Sequence, residues 1–299
     1  MSWRSLFISR PARLSIRNYQ LEIEQEGEKV QVPLEDIGVI LIESPQVNLT
    51  AKLLARLGEE KMLLFFCDDK HLPCAIVQPF HQHSRQRKIL MAQYQATVPF
   101  QKNCWRKIVI QKIKNQAKCM ELLGIKGFRD VEALAGKVLS GDISGKEAHA
   151  AQIYFPRLFP GSSRRQDTVQ NAALNYGYAI LRGAVARALT SYGLQPALGI
   201  HHVSELNPFN LADDLLEPFR PVIDLWVLSC CKEDEEFTQV HRIELMKLLH
   251  CDIKIQEKRQ TVLRGIDLAA GKLASAYLQK DPKEILLPTL LPLEVHRYE

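Results

Sequence analysis

Residues 37–67 decide the fold. They open with Ile37-Gly38-Val39-Ile40-Leu41-Ile42 and close with Met62-Leu63-Leu64-Phe65-Phe66-Cys67. Both runs are short and almost wholly apolar, the pattern of strands buried on two faces. Between them Leu49 to Leu57 carries helical spacing, with Asn48 or Thr50 as its cap. Upstream, Ser5-Leu6-Phe7-Ile8 is another short apolar run. Arg13–Arg17, Gln20–Glu24 and Glu28–Pro33 alternate apolar with polar residues, and Glu26-Gly27 marks a turn. The N-terminal part is therefore a small strand-rich domain with one helix.

The pattern changes after Pro79. His81 to Gln95 and Cys104 to Leu123 read as helices, the second with apolar Ile108, Ile110, Ile113, Ala117 and Met120 and an outer face of Lys107, Lys112, Lys114 and Lys118. Further helices are expected at 131–140, 145–154, 167–192, 212–217, 221–231, 239–249 and 255–278. The predicted architecture is α+β: a small β-rich domain over residues 1–80, then a larger all-α domain over 81–299.

A chain of 299 residues that is 46% hydrophobic can build such cores. No stretch is apolar for long enough to span a bilayer, and Met1 to Arg17 mixes apolar and basic residues instead of forming a signal core. The expectation is a cytoplasmic protein with no membrane partner. Seven cysteines without any Cys-x-x-Cys pair argue against a zinc ribbon and suit buried free thiols. A formal charge of +5 permits a nucleic-acid partner without requiring one.

Two segments concentrate chemistry. In Ser144-Gly-Lys-Glu147, Ser144 can cap a helix and Glu147 sits where a capping box wants it. Glu147 is then either a first-turn carboxylate or a functional one. In Gly199-Ile-His201-His202 through Asn210-Leu-Ala-Asp213-Asp214-Leu-Leu-Glu217-Pro218-Phe-Arg220, adjacent histidines precede a short helix bearing three carboxylates. Asp213 and Glu217, or Asp214 and Glu217, share a helical face, and facing carboxylates need a cation or arginine between them. Divalent-metal sites for phosphate chemistry are assembled this way. The plainer reading is a solvated acidic helix with an Asp213–Arg220 or Glu217–Arg220 ion pair. Pro218 kinks the chain beside these carboxylates.

These segments resemble the CRISPR-associated spacer-acquisition integrases, the Cas-one family, with wording closest to type II systems. The likeness rests on Glu147-x-x-x-Ala-x-x-Tyr154-Phe155, on Asn171-Ala-Ala-Leu-Asn175-Tyr-Gly-Tyr-Ala-Ile-Leu181, and on Leu198-Gly-Ile-His-His202 through Asp224. The resemblance implies that Glu147, His202 and Glu217 are the catalytic, metal-holding residues, with Mg²⁺ or Mn²⁺ as the ion. His202 is selected over His201 by the family's spacing from the glycine. Asp214 is implied as a supporting carboxylate, with Tyr154, Asn175 and Arg220 as supporting or packing residues; Tyr154 and Asn175 could equally be core hydrogen-bond anchors.

The activity implied is a metal-dependent DNA endonuclease and integrase. It would insert captured DNA fragments into a CRISPR array by 3′-OH transesterification at the repeat. Two ends must be joined at separate positions, so a homodimer is expected, and strand edges make residues 1–80 its natural dimerisation domain. Residues 81–299 would then be catalytic and DNA-binding. The resemblance adds the small Cas-two protein as partner and, in type II systems, the effector nuclease and an accessory ring protein. Candidate phosphate contacts are Arg85, Arg87, Lys88, Lys107, Lys112, Lys114, Lys118, Arg164 and Arg165. A zinc hydrolase lacks its His-Glu-x-x-His signature here. A non-catalytic DNA-binding scaffold would keep the basic helices and need no carboxylate cluster.

Overall fold

The computed structural model describes residues 4–78, 84–161, 166–232 and 235–297. The chain divides into two compact units, Met1–Ser84 and Arg85–Glu299.

The first unit contains β1 (Arg4–Ile8), β2 (Ala12–Arg17), β3 (Gln20–Gln25), β4 (Glu28–Pro33), β5 (Ile37–Ile42), β6 (Val47–Leu49), α1 (Ala51–Glu59), β7 (Leu63–Cys67) and β8 (Pro73–Ile76). They make two four-stranded sheets, ordered β1-β5-β7-β8 and β4-β3-β2-β6. β5 pairs in parallel with β1 and β7 and is buried along its whole length, which is why its sequence does not alternate. Ile40, Ile42 and Leu64 from this sheet pack with Leu14 and Leu21 of the other and with Leu53 and Leu57 of α1. Thr50 caps α1, accepting from the Leu53 N–H. Both hairpins of the second sheet turn on two residues of positive φ, Asn18-Tyr19 and Glu26-Gly27, the twist that two-residue connections favour. β4 lies at a sheet edge with its first four residues exposed.

The second unit is mostly helical: α2 (Gln86–Tyr94), α3 (Val98–Leu122), α4 (Phe128–Ala135), α5 (Lys146–Leu158), α6 (Val169–Ser191), α7 (Asn210–Leu216), α8 (Arg220–Cys230), α9 (Gln239–Lys247) and α10 (Val262–Gln279). It is not all-α. β9 (Cys251–Ile255) is flanked by β10 (Lys258–Thr261) and β11 (Thr289–Val295) in an antiparallel sheet. The helix expected from residue 255 begins only at Val262, with Thr261 as its cap. Gln256 and Glu257, both at positive φ, turn the β9–β10 hairpin. Glu257, Lys258, Arg259 and Gln260 favour helices locally, but pairing with the buried strand β9 outweighs that preference.

α3 and α6 form the spine. α3 packs on α4, α5, α8 and β11, and α6 on α7, α8, α9 and α10. Gly177 lets α6 and α8 approach closely, since a β-carbon there would sit 2.5 Å from Ile223. Among the described residues no helix is long and apolar enough to cross a membrane. Cys104, Cys119, Cys231 and Cys251 are buried thiols as expected, whereas Cys74 and Cys230 are exposed.

Candidate metal centre

Asp213, Asp214 and Glu217 leave the same short stretch of chain and go to three different partners. Asp213 accepts a two-pronged bond from Arg182, at 2.7 and 2.9 Å, and another from the Asn207 amide at 2.7 Å. It therefore braces the 204–209 loop and has no pairing with Arg220 in this structure. Asp214 is fully buried. Its Oδ2 accepts from the Ile200 and His201 N–H groups at 2.5 and 2.9 Å, and its Oδ1 from the His202 N–H at 3.2 Å. The His202 ring adds a 2.6 Å contact through Nδ1. This carboxylate is the hub around which residues 200–202 wrap. Gly199 makes the wrap possible: a β-carbon there would sit 2.1 Å from the His202 carbonyl oxygen and 3.0 Å from Asp214 Oδ2.

With Nδ1 engaged by Asp214, the Nε2 of His202 is the ring nitrogen left to bind a ligand. The hydrogen bond that the His202 ring donates to Asp214 raises the His202 pKa above its usual range, against a smaller opposing effect of burial. His201 takes a different course and stacks on the buried Trp105 ring, with centroids 4.2 Å apart and planes within 4°. The neighbouring histidines are thus separated by contact: one is a packing residue and the other faces a carboxylate.

Glu217 begins the 3-10 turn Glu217–Phe219 that Pro218 forces between α7 and α8. Its Oε1 accepts from Arg220 Nε at 2.9 Å, and its Oε2 lies 2.5 Å from Lys112 Nζ. The same ammonium donates to Glu147 Oε1 at 2.6 Å. Glu147 and Glu217, distant in sequence, therefore meet at one cation. Burial would raise the Glu217 pKa, but Lys112 and Arg220 outweigh it and hold the carboxyl below its ordinary value. Burial would likewise lower Lys112, and the two glutamates keep it raised instead.

Local structure explains how these side chains arrive. Glu147 sits in the first turn of α5, but not by the expected capping box. Gly145 is the N-cap at φ +59°, and the Asp142 carboxylate accepts from the Lys146 and Glu147 N–H groups, both at 2.9 Å. The Ser144 hydroxyl is buried without a partner. Asn115 of α3 donates to the Pro218 carbonyl at 2.7 Å and the Pro288 carbonyl at 2.9 Å, and accepts from the Leu290 N–H at 3.2 Å. It locks the Glu217 turn against α3. Gln93 of α2 donates to the Gln195 and Leu198 carbonyls and accepts from the Gln195 N–H, fixing the approach to the histidines. Asn115, Gln93 and Trp105 were not singled out from sequence. Their signal was present only as polar or aromatic residues on helix faces that prove to be buried.

The supporting residues separate clearly. Arg220 lies 4.5 Å over the Tyr178 ring. Tyr178 and the buried Tyr154 both donate to Asp224, at 2.5 and 2.8 Å. Tyr154 is therefore a core anchor behind the site, while Asn175 is exposed on α6. Of the basic candidates, Arg85, Arg87, Lys88 and Lys114 are exposed, and Lys118 pairs with Glu121 at 2.7 Å. Lys107 is tied to the carbonyls of Pro282 and Lys283. Lys112 is the clear correction. It is 8% exposed, on the inward face of α3, and its charge is consumed by two carboxylates and not offered to solvent. Arg164 and Arg165 lie outside the described residues.

Among the described residues no three His, Cys, Asp or Glu side chains stand together as a ready metal cage. The donor set nevertheless fits a hard divalent ion: two carboxylates already gathered on a cation, and one imidazole with its second nitrogen held by a carboxylate. Glu217 Oε2 is buried and lies 2.5 Å from the Lys112 ammonium, so its partner is a charged group on a flexible stem.

The model of the family described as CRISPR associated protein Cas1 matches residues 6–241. The chain belongs to the Cas1 family. A Cas1 endonuclease of Neisseria meningitidis serogroup C is 44% identical over 304 aligned positions, covering the whole of both chains. A Cas1 endonuclease of Francisella tularensis subsp. novicida is 26% identical, covering 84% of this chain and 86% of its own. Among solved structures, a casposase bound to integration product superposes with a TM-score of 0.74 at 22% identity, covering 100% of this chain and 96% of that one. A chain of a Cas6-RT-Cas1–Cas2 complex gives 0.70 at 17% identity, covering 97% of this chain and 36% of its own. At these identities the two structures speak for the fold. Every residue of the Glu147, His202 and Glu217 set lies within the span matched by the family.

Proposed function

We propose that this Cas1 protein is a metal-dependent DNA endonuclease and integrase that inserts captured fragments into a CRISPR array. The observation that carries the reading is the meeting of Glu147 and Glu217 at one cation, in the same unit as an imidazole that Asp214 orients. The relatives' description as endonucleases and the casposase's integration product support the same reaction class.

Glu147, Glu217 and His202 Nε2 would hold Mg²⁺ or Mn²⁺. When bound, the ion would neutralise charge on the scissile phosphate and favour an attacking oxygen at neutral pH. Asp214 fixes the His202 tautomer and ring direction. Arg220, steered by Glu217 and the Tyr178 ring, keeps a positive charge beside the cluster for a phosphate oxygen. In joining, the 3′ oxygen of the captured fragment forms a bond to a repeat phosphate as the bond to the repeat's own 3′ oxygen breaks. The hydroxyl proton passes through solvent to the departing oxygen. One phosphodiester replaces another, so no nucleotide triphosphate is consumed. Water in place of the 3′-OH gives hydrolysis at the same centre.

An open cleft of about 750 Å³ adjoins His202, lined in part by Tyr94, Leu198, Val203 and Leu206. Its aromatic and aliphatic lining suits an unpaired DNA end. Arg85, Arg87, Lys88 and Lys114 are the described candidates for phosphate contacts. The exposed edge strand β4 is proposed as part of a homodimer surface. A companion Cas2 protein, the type II effector nuclease and an accessory ring protein are the further partners proposed.

The deciding experiment uses labelled fragment and repeat DNA with Mn²⁺, with and without EDTA, and with Glu147→Gln. Glu147 is part-exposed and its Oε1 accepts from the Lys112 ammonium, so its amide should fold normally. Wild type should cleave and join. EDTA and Glu147→Gln should each reduce product on the order of a thousandfold. Joining that survives both would defeat the assignment; DNA binding without any product would favour a scaffold.

A further inference from the structure

Trp105, Ile108, Lys112 and Asn115 are spaced three, four and three apart, so they share one face of α3, and all four are buried. A lysine on such a stripe is costly to bury unless its charge is matched. Here it is matched twice, by Glu147 Oε1 at 2.6 Å and Glu217 Oε2 at 2.5 Å. Asn115, one turn further along α3, clamps the Pro218 carbonyl and so fixes the Glu217 turn relative to the ammonium. With Arg220 on the other oxygen of Glu217, the cluster holds two anions and two cations.

That balance constrains what can be added. A divalent cation taken up beside an unmoved Lys112 would leave two surplus positive charges in a largely buried site. It would also compete with the ammonium for the same carboxylate oxygens at contact distance. Room for a different arrangement exists: a cavity of about 210 Å³ adjoins the cluster, lined by Lys112, Gln116, Tyr178, Glu217 and Arg220 among others. The long flexible stem of lysine can swing into it without moving α3.

We propose that the Lys112 ammonium is the resident occupant of the metal position, a built-in counter-ion that keeps Glu147 and Glu217 assembled and that the divalent cation displaces on binding. The inference rests on the metal-site reading above. It means that the site is organised before metal arrives, and that metal affinity is lowered by the need to evict a charge already in place.

The test is Mn²⁺ titration of the full-length protein without DNA, followed by calorimetry, in wild type, Lys112→Met and Glu217→Gln. Lys112→Met should melt lower than wild type when metal-free, gain more in melting temperature from Mn²⁺, and bind Mn²⁺ about tenfold tighter or more. Equal or weaker affinity in Lys112→Met would overturn the inference. If that variant fails to fold, wild type supplies the second measurement. Reductive methylation read by mass spectrometry should leave Lys112 unmodified in metal-free protein and label it once Mn²⁺ is added; labelling indifferent to Mn²⁺ overturns the inference equally. Glu217→Gln separates the two claims. Should it abolish Mn²⁺ binding while Lys112→Met matches wild type, the metal site stands and the placeholder falls. Should it leave Mn²⁺ binding intact, both fall.

Discussion

Asp214 and Glu217 are one helical turn apart, both buried and both acidic, yet their surroundings are opposite. Asp214 is saturated by directed donors: three backbone N–H groups and the His202 ring. Glu217 is held by two charged side chains, Lys112 on one oxygen and Arg220 on the other, and by no backbone N–H among the described residues. Directed donors specify a backbone path. Mobile charges can be exchanged for another charge. The first carboxylate therefore builds the site and the second is available to act in it.

Amide substitutions should pull this contrast apart. The largest effect is expected on activity, from Glu147→Gln, which removes one anion from the exchangeable side and should leave the fold intact. Next comes Asp214→Asn. It turns an acceptor into an NH₂ group facing N–H donors in a dry pocket, at an expected loss of roughly 3–5 kcal/mol. For a unit of this size that is a melting-temperature drop on the order of 10 °C, measurable by scanning calorimetry. An Asp214→Asn protein that melts like wild type would erase the distinction between the two carboxylates.

Gly199→Ala should be milder but local. The added methyl would overlap the His202 carbonyl unless the 199–202 turn opens. A destabilisation of about 1–3 kcal/mol is expected, together with weaker Mn²⁺ binding because His202 loses its alignment. Unchanged Mn²⁺ affinity in a folded Gly199→Ala protein would detach His202 from the metal.

The smallest effect is on pH dependence. Asp214 raises the His202 pKa, so the protonated ring stabilises the folded metal-free protein. That contribution is complete below the unfolded value near 6.5 and fades as pH rises through the higher folded value. The side chain is 43% exposed, so the change should stay below about 1 kcal/mol. Denaturation midpoints of wild type and His202→Gln should converge as pH climbs from 6 to 9; a constant gap would show that the ring's charge does not matter.

Much of this arrangement was legible in the sequence. The apolar runs of β5 and β7 could hardly be anything but buried strands, and the carboxylate spacing around Pro218 asked for a cation. What stayed hidden depended on tertiary neighbours. Lys112 looked like one more lysine on a basic helix, because a stripe centred on Ile113 and Ala117 puts it outside. Adding Trp105 to the stripe, in line with Ile108, turns Lys112 inward, but only the fold shows that two glutamates wait there. The β9–β10 hairpin was concealed for a similar reason: Gln256-Glu257 carries no Asn-Gly or Asp-Gly signal, and its residues suit a helix as well as a turn. The Asp142 cap was masked by a better-looking serine two residues on.

The Asn115 side chain has a longer reach than its size suggests. Through its amide the Pro218 and Pro288 carbonyls share one peg, so the strand β11 and the turn carrying Glu217 are fastened at the same point. A tag, fusion or binding protein that tugs β11 out of register would loosen the Glu217 turn without touching any of the proposed ligands. Trimming the chain before Pro288 should therefore be read as an injury to the proposed metal centre and not as the removal of an idle tail.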